Sequence, residues 1–462
     1  MIPRLNQDQI AQIHNASLRI LDRTGVRFYV QEALDLLRGG GADVSDGNLV
    51  RVPAALVEWA LDTAPKRIEI YDQTGKPAMT LEGHRSYFGV GSDCMHIYDP
   101  FTGERRRATL EDVVNGVRLA DALPNLDFVM SMFLPSDVPD DQYERRQMVV
   151  MLEESTKPIV FVGQDADSTA HAVNLAKVVA GGLEPLQERP FIINYVNTVS
   201  VFRHNEASVR RLLAAAELNL PTIYGPGNIR GLTAPMTRAG ALALSNAGHM
   251  AGLVLSQLKR EGSPFIQTVP RGWTTDMRTM VGLYAPADGP EGFDIGHHHG
   301  LPMFGTGGCS DSKVFDAQAA AEAALTLYTS AAGGANLIHD VGYLDSAMTG
   351  SLGLVVLCDE IINWVKSHLE PMEISEETLA MDLIEEVGCD GHFLSTDHTL
   401  RHVRDDWQPS LFDRRDHDSW QGDGATRLEE RAREKARSII GEHRAPRLPE
   451  AVSIRLAAIV EG

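Results

Sequence analysis

Cysteine is scarce in this chain. The four present among 462 residues, Cys94, Cys309, Cys358 and Cys389, form no CxxC pair and no regular framework. Reduced thiols and a cytoplasmic location are therefore expected. Basic charge is also short: 42 Lys and Arg against 63 Asp and Glu leave a net charge of −21. Such a balance argues against nucleic acid or an anionic membrane as partner, because either needs a basic face. No apolar run reaches the roughly 18 residues that span a bilayer. The opening MIPRLNQDQIAQIHNASLRIL lacks a basic segment followed by an apolar core, so no secretory signal is expected. Nor is there a GxxxxGK[ST] phosphate loop, and Gly305, Gly307 and Gly308 do not match the dinucleotide spacing.

What is present is a large core: 43% of residues are hydrophobic. The first 125 residues read as a cap. Asn6 can start a helix, a second carries Ala33, Leu34, Leu36 and Leu37, and a third begins at Pro53. Turn signals QTGK and PFTGE then separate short β-rich runs into a hairpin layer. From Asp127 the rhythm changes. Eight β-rich runs recur at 127–134, 157–163, 190–200, 221–229, 264–270, 301–308, 335–343 and 391–398, most separated by helical stretches. This alternation predicts an α/β fold, a (β/α)8 barrel of TIM type, over 126–410. Residues 411–462 are strongly charged and read as an outer helical extension.

In such a barrel the chemistry lies at the C-terminal strand ends. These ends carry Tyr195 and Asn197, Tyr224, Gln267 and Arg271, then His339 and Tyr343, with Phe88 contributed by the cap. Tyr195, Tyr224, Tyr343 and Phe88 are candidate contacts for a cation, since aromatic faces attract quaternary ammonium groups by about 0.5–2 kcal/mol each. Arg271 or His339 can hold a carboxylate. Asp311 and Gln318, on the GTGGCSDSKVFDAQ segment, are the candidate catalytic positions. They share a face if the following helix starts early, although capping of that helix accounts for Asp311 equally well. The pattern suits a zwitterion bearing a methylated ammonium. His297, His299 and Cys309 form an alternative, zinc-binding set, and a non-catalytic betaine-binding protein is a further alternative.

Six stretches in order resemble the trimethylamine methyltransferase family: ILDRTGVRF with ALDLLRGGGADV, VRVPAALVEWALDTAP, YDPFTGERRRATLEDVVNGVRLADAL, GCSDSKVFDAQAAAEAAL, DEIINWV, and HFLSTDHTLRHVRDDWQPSLFDR. The resemblance spans nearly the whole chain. It implies a barrel enzyme that moves a methyl group from a methylated amine to the Co(I) of a cobalamin-type corrinoid carried by a partner protein, with no tightly bound metal and a homo-oligomeric state. Trimethylamine-specific members carry pyrrolysine, expected in the region matching Gly305 to Lys313, where this chain has only standard residues. In that respect it resembles the branch acting on glycine betaine and related quaternary amines. The zinc alternative would be a zinc-dependent corrinoid methyltransferase.

Overall fold

The computed structural model describes residues 3–284 and 289–461. Seven strands, β1 Tyr87–Val90, β2 Ile159–Val162, β3 Ile192–Thr198, β4 Thr222–Pro226, β5 Phe265–Thr268, β6 Met303–Thr306 and β7 Leu337–Val341, form one sheet. Their order is β1-β7-β6-β5-β4-β3-β2, and every pairing is parallel. The remaining gap is filled by residues 128 and 129, whose bridges Gly89–Phe128 and Val129–Ile159 link β1 to β2. Eight segments thus close the ring. Parallel strands need covering on their outer face, and helices such as Tyr143–Glu153, Glu206–Glu217, Arg238–Lys259 and Ala317–Gly333 supply it.

The ring closes differently from the expected strand count. Residues 391–398 form no strand: they are irregular up to the helix Asp397–His402, with Phe393 and Leu394 44% and 83% exposed. The place expected for them is taken by β1, a four-residue strand within the segment assigned to the cap. The barrel therefore takes in chain from before residue 125. Its last covering helix is Leu352–Leu369, well short of residue 410. β1 escapes a reading by pattern because glycines stand at positions 89 and 91, where turn signals are expected.

The N-terminal unit otherwise follows its sequence. Asn6 caps Gln7–Arg19 and Gln9 completes the capping box. Ile68–Tyr71 pairs antiparallel with Pro77–Leu81 across the QTGK turn, and His96–Tyr98 with Arg105–Arg107 across PFTGE. A second core, with Phe28, Leu37, Val57 and Leu61, seals this unit against Met250, Leu253 and Val254 of Arg238–Lys259. No helix among the described residues is long and apolar enough to cross a membrane.

The charged tail is anchored by one carboxylate. Glu360, buried on Leu352–Leu369, accepts from the amides of Ser410 (2.8 Å), Leu411 (2.9 Å) and Phe412 (3.2 Å) and from the Ser410 hydroxyl (2.7 Å). Burial alone would raise its carboxyl, but these donors outweigh burial and hold it below its ordinary value. The anchor is accordingly present above the usual carboxylate range and is lost as pH falls through the depressed value. Helix Leu428–Glu442 then lies along Leu352–Leu369. Glu360→Ala should cost about 2–3 kcal/mol in charge-assisted hydrogen bonds. Limited proteolysis should then cut after Ser410 faster than in the wild type; an unchanged cleavage pattern would show that the anchor is dispensable.

Candidate functional site at the C-terminal mouth of the barrel

Alternation along the strands sorts the mouth residues into two faces. Register pairs Tyr195 with Ile223, Phe304 with Leu337 and Thr306 with His339, and this face looks into the barrel. Tyr195 meets Phe304 (4.8 Å between ring centroids) and stands edge-on to His339 (5.8 Å). His339 stacks on Phe304 at 3.9 Å. Its Nδ1 donates to the Gly305 carbonyl at 2.7 Å, which turns Nε2 toward Asp340 Oδ1 at 3.3 Å. Asn197, one pleat beyond Tyr195, is exposed at the strand end. Gly225 makes room for it: a Cβ there would lie 2.7 Å from Asn197 Oδ1.

The second wall comes from the turns after β1 and β7. Asp340 adopts φ +74°, where the β1–β7 register shifts between Ile338 and Val341. Left-handed backbone in a residue other than glycine costs about 1–3 kcal/mol and needs surrounding structure to hold it. Its carboxylate accepts from the Tyr284 hydroxyl, and Tyr343 donates to the Ser92 carbonyl. Gly91 permits this convergence, because a Cβ there would overlap both the Tyr343 hydroxyl and Asp340 Oδ1. Asp93, also left-handed at φ +69°, accepts from Ser92 Oγ at 3.1 Å. The protein packed around it, chiefly by desolvation, lifts its carboxyl to about 6, although the side chain keeps an exposed face. Burial likewise pushes Tyr195 up to about 12 and raises Tyr284 and Tyr343 well above an ordinary phenol, with Asp340 pushing each the same way.

Arg271 completes the rim. Its guanidinium lies 3.8 Å over the Trp273 ring, and Nη2 donates to Thr306 Oγ1 at 3.2 Å. Trp273 in turn contacts Tyr284 (5.1 Å), which neighbours Tyr343 (6.4 Å). The mouth therefore combines Tyr195, Phe304, Trp273, Tyr284 and Tyr343 with two carboxylates, Asp93 and Asp340, and one guanidinium. It can hold a cation against π faces and acids, and an anion on Arg271.

The structure brings Tyr195, Asn197, Arg271, His339 and Tyr343 to this mouth, and takes the other five candidates elsewhere. Tyr224 and Gln267 are register partners on the opposite face. Tyr224 packs on Gly252 in the helix layer and hydrogen-bonds His204 Nδ1 at 2.5 Å. Gln267 donates to the Gly296 carbonyl and accepts from His299 Nδ1, both at 3.3 Å. Phe88 faces Lys366, whose ammonium lies 5.4 Å from its ring. Strand-end position alone cannot separate these faces; the pleat does.

Asp311 and Gln318 share no helical face, because the helix begins only at Ala317, capped by Asp316. Asp311 accepts from the Tyr284 amide (2.9 and 3.0 Å) and from Ser346 Oγ (2.8 Å), so it positions the loop that carries Tyr284. Gln318 is exposed and donates to Glu322 Oε1 at 3.0 Å. Glu322 ties the GTGGCSDSK loop by accepting from Ser310 Oγ (2.6 Å) and the Asp311 amide (2.8 Å). The zinc alternative also fails. His297 and His299 lie on the helix Pro290–His299, one bonded to the Gly333 carbonyl and the other to Gln267, and they do not converge with Cys309.

Asp93, Asp340 and Tyr284 escaped sequence reading. Asp340 adjoins His339 in a strand-end run, IHDVGY, and was within reach of strand-end logic. Asp93 and Tyr284 follow irregular turns and carry no periodic signal.

A sequence model of the family described as Trimethylamine methyltransferase (MTTB) matches residues 1–461. The chain is 32% identical over 466 residues to trimethylamine methyltransferase MttB of Desulfitobacterium hafniense (strain DSM 10664 / DCB-2), covering 99% of this chain and 93% of that protein. It is 28% identical over 475 residues to glycine betaine methyltransferase of Desulfitobacterium hafniense (strain Y51), covering 100% and 97%. Among solved structures it is similar to the Methanosarcina barkeri monomethylamine methyltransferase MtmB, at 13% identity, 95% coverage of both chains and a TM-score of 0.47. The chain belongs to the trimethylamine methyltransferase family and is a methyltransferase.

Proposed function

We propose that this methyltransferase takes a methyl group from a quaternary amine of the betaine type and passes it to a corrinoid protein. The observation that carries the reading is the juxtaposition, in one mouth, of Tyr195, Trp273, Tyr284 and Tyr343 with Asp93 and Asp340, and with Arg271 on the rim. A betaine offers a cation for the first group and a carboxylate for Arg271. The two identities of 32% and 28% do not separate trimethylamine from betaine. The standard residues throughout 305–313 favour the quaternary substrate. Cytoplasmic location and a homo-oligomeric state are part of the same proposal.

The corrinoid, bound to its own protein, would supply Co(I) as the nucleophile. This chain's residues supply binding, orientation and exclusion of water. The methyl leaves without its electron pair, which stays on nitrogen, so a neutral tertiary amine is released and no proton moves. That explains why the mouth needs no general acid: the permanent charge makes nitrogen a leaving group. As the methyl departs, the positive charge on nitrogen falls. Full negative charge beside it would therefore favour the bound substrate over the transition state. Aromatic faces bind the cation with less of this bias, and Asp340 already accepts from the Tyr284 hydroxyl.

Three outcomes are expected. Purified protein with cob(I)alamin should demethylate glycine betaine or one of carnitine, choline and proline betaine, followed by the change in corrinoid absorbance. Transfer from trimethylamine alone would overturn the proposal. Asp93→Asn should raise KM about tenfold, equivalent to about 1.4 kcal/mol of cation binding, and raise kcat with it, because the lost charge favoured the bound substrate over the transition state.

The third outcome concerns pH. Because the Asp93 carboxyl is raised to about 6, its negative charge is absent below that value and present above it. Affinity for the cation should therefore rise as pH increases through about 6 and then level off. KM measured across that range should lose this dependence in Asp93→Asn. An identical profile in the variant would assign the ionisation to another group.

A further inference from the structure

Between Lys366 and Ser410 no residue is buried. Yet the segment carries three short helices, Glu376–Leu379, Met381–Val387 and Asp397–His402. Met372, Ile374, Leu394 and Leu400 are 86%, 73%, 83% and 76% exposed, so this arm has no apolar core of its own. A segment of this size normally needs a disulfide, a metal or a partner to hold its shape. Its one cysteine, Cys389, is free and exposed.

What joins the first helix to the third is a compact polar cluster. His398 and His402 stand four apart on one helix, so their rings share a face, with centroids 4.4 Å apart. Glu377, from the first helix, reaches His402 Nε2 with Oε1 at 3.2 Å. One ligand atom from each of Glu377, His398 and His402 lies within 4.8 Å of the others. Behind them, Asp405 Oδ2 accepts from His402 Nδ1 at 2.5 Å, which fixes the ring and leaves Nε2 directed at the carboxylate. A carboxylate on the far nitrogen is the support that metal-binding histidines usually have. Arg401 also pairs with Glu377 Oε1, at 2.8 Å, and His398 Nε2 lies 3.2 Å from the Glu377 carbonyl.

We infer that Glu377, His398 and His402 form a binding site for a zinc-type divalent cation that staples the arm. Two imidazoles and one carboxylate suit zinc, cobalt or nickel rather than calcium or magnesium, which prefer oxygen alone. Tetrahedral bonds of about 2.1 Å put donor atoms about 3.4 Å apart. Small rotations of the three exposed or half-exposed side chains close that gap, with Arg401 releasing Glu377. Three protein ligands leave the fourth position to water or to a donor from outside the arm. The cation here is structural: it lies on the outer arm, away from the mouth residues, and takes no part in methyl transfer.

The test uses the full-length protein stripped with chelator and titrated with zinc chloride against a chromophoric competitor. One equivalent should bind. His398→Ala/His402→Ala should abolish that equivalent, and Asp405→Asn should weaken it about ten- to a hundredfold. Zinc should also slow tryptic cleavage at Arg401 and Arg404 in the wild type and leave the double variant unaffected. Absence of stoichiometric binding would overturn the site and leave an ion-pair cluster only. So would equal binding by the double variant. Neither result bears on the substrate, which is read from demethylation.

Discussion

Closure of the barrel by a strand drawn from the N-terminal unit is the constraint on which the site depends. Parallel pairing of Tyr87 with Leu337 and of Phe88 with Ile338 sets two turns side by side. One carries Gly91, Ser92 and Asp93, the other His339, Asp340 and Tyr343. The hydrogen bond from Tyr343 to Ser92 spans 251 positions in the chain. The same junction continues upward as a four-stranded sheet, in which Thr349–Ser351 pairs with His96–Tyr98. Residues with left-handed backbone cluster here: Asp93, Asp340, Asp345, Ser346 and Ala347. Each costs about 1–3 kcal/mol, and a junction held on both sides by sheet can sustain that strain where a free loop could not.

The electrostatics follow from this crowding. The Asp93 carboxyl and the phenols of Tyr195, Tyr284 and Tyr343, packed into one protein-lined mouth, shift toward their neutral forms. A permanent cation entering such a site reverses the pressure, because it stabilises the ionised carboxylates by direct attraction. A neutral amine offers no such compensation. Discrimination between charged and neutral donors can therefore arise from the polarity of the mouth before any contact with an individual methyl group is considered.

Much of the architecture was legible in periodicity. The helices Tyr143–Glu153, Glu206–Glu217 and Arg238–Lys259 and seven of the eight barrel segments lie in the stretches that their patterns indicate. Hairpin turns at QTGK and PFTGE and the Asn6 cap were equally plain, since each rests on local chemistry. Two things were not. The closing strand is too short and glycine-rich to announce itself, and its partner is some 250 residues away. The pleat was the other: Tyr224 and Tyr195 look alike in sequence, but one faces His204 in the helix layer and the other faces His339 in the mouth. Parity becomes readable only once one strand's inward face is known, which requires the register that the sequence does not display.

The GTGGCSDSK loop shows how a polar, glycine-rich segment can tie several connections together through its own hydrogen bonds. Gly308 adopts φ +75° at the turn, and its amide is held by Thr326 Oγ1 at 3.0 Å. Ser310 and Asp311 are then tied to Glu322, and Asp311 grips the Tyr284 amide and the Ser346 hydroxyl. Three separate connections thus meet at one loop: the end of β6, the segment bearing Tyr284, and the turn after Tyr343. Reactions that need a proton donor or a covalent nucleophile place such a group at a loop of this kind. The transfer from a quaternary nitrogen that we propose needs neither. What it needs is an N–CH3 bond held in one direction in a site closed to water, and a loop that locks two tyrosine-bearing segments against each other meets that need.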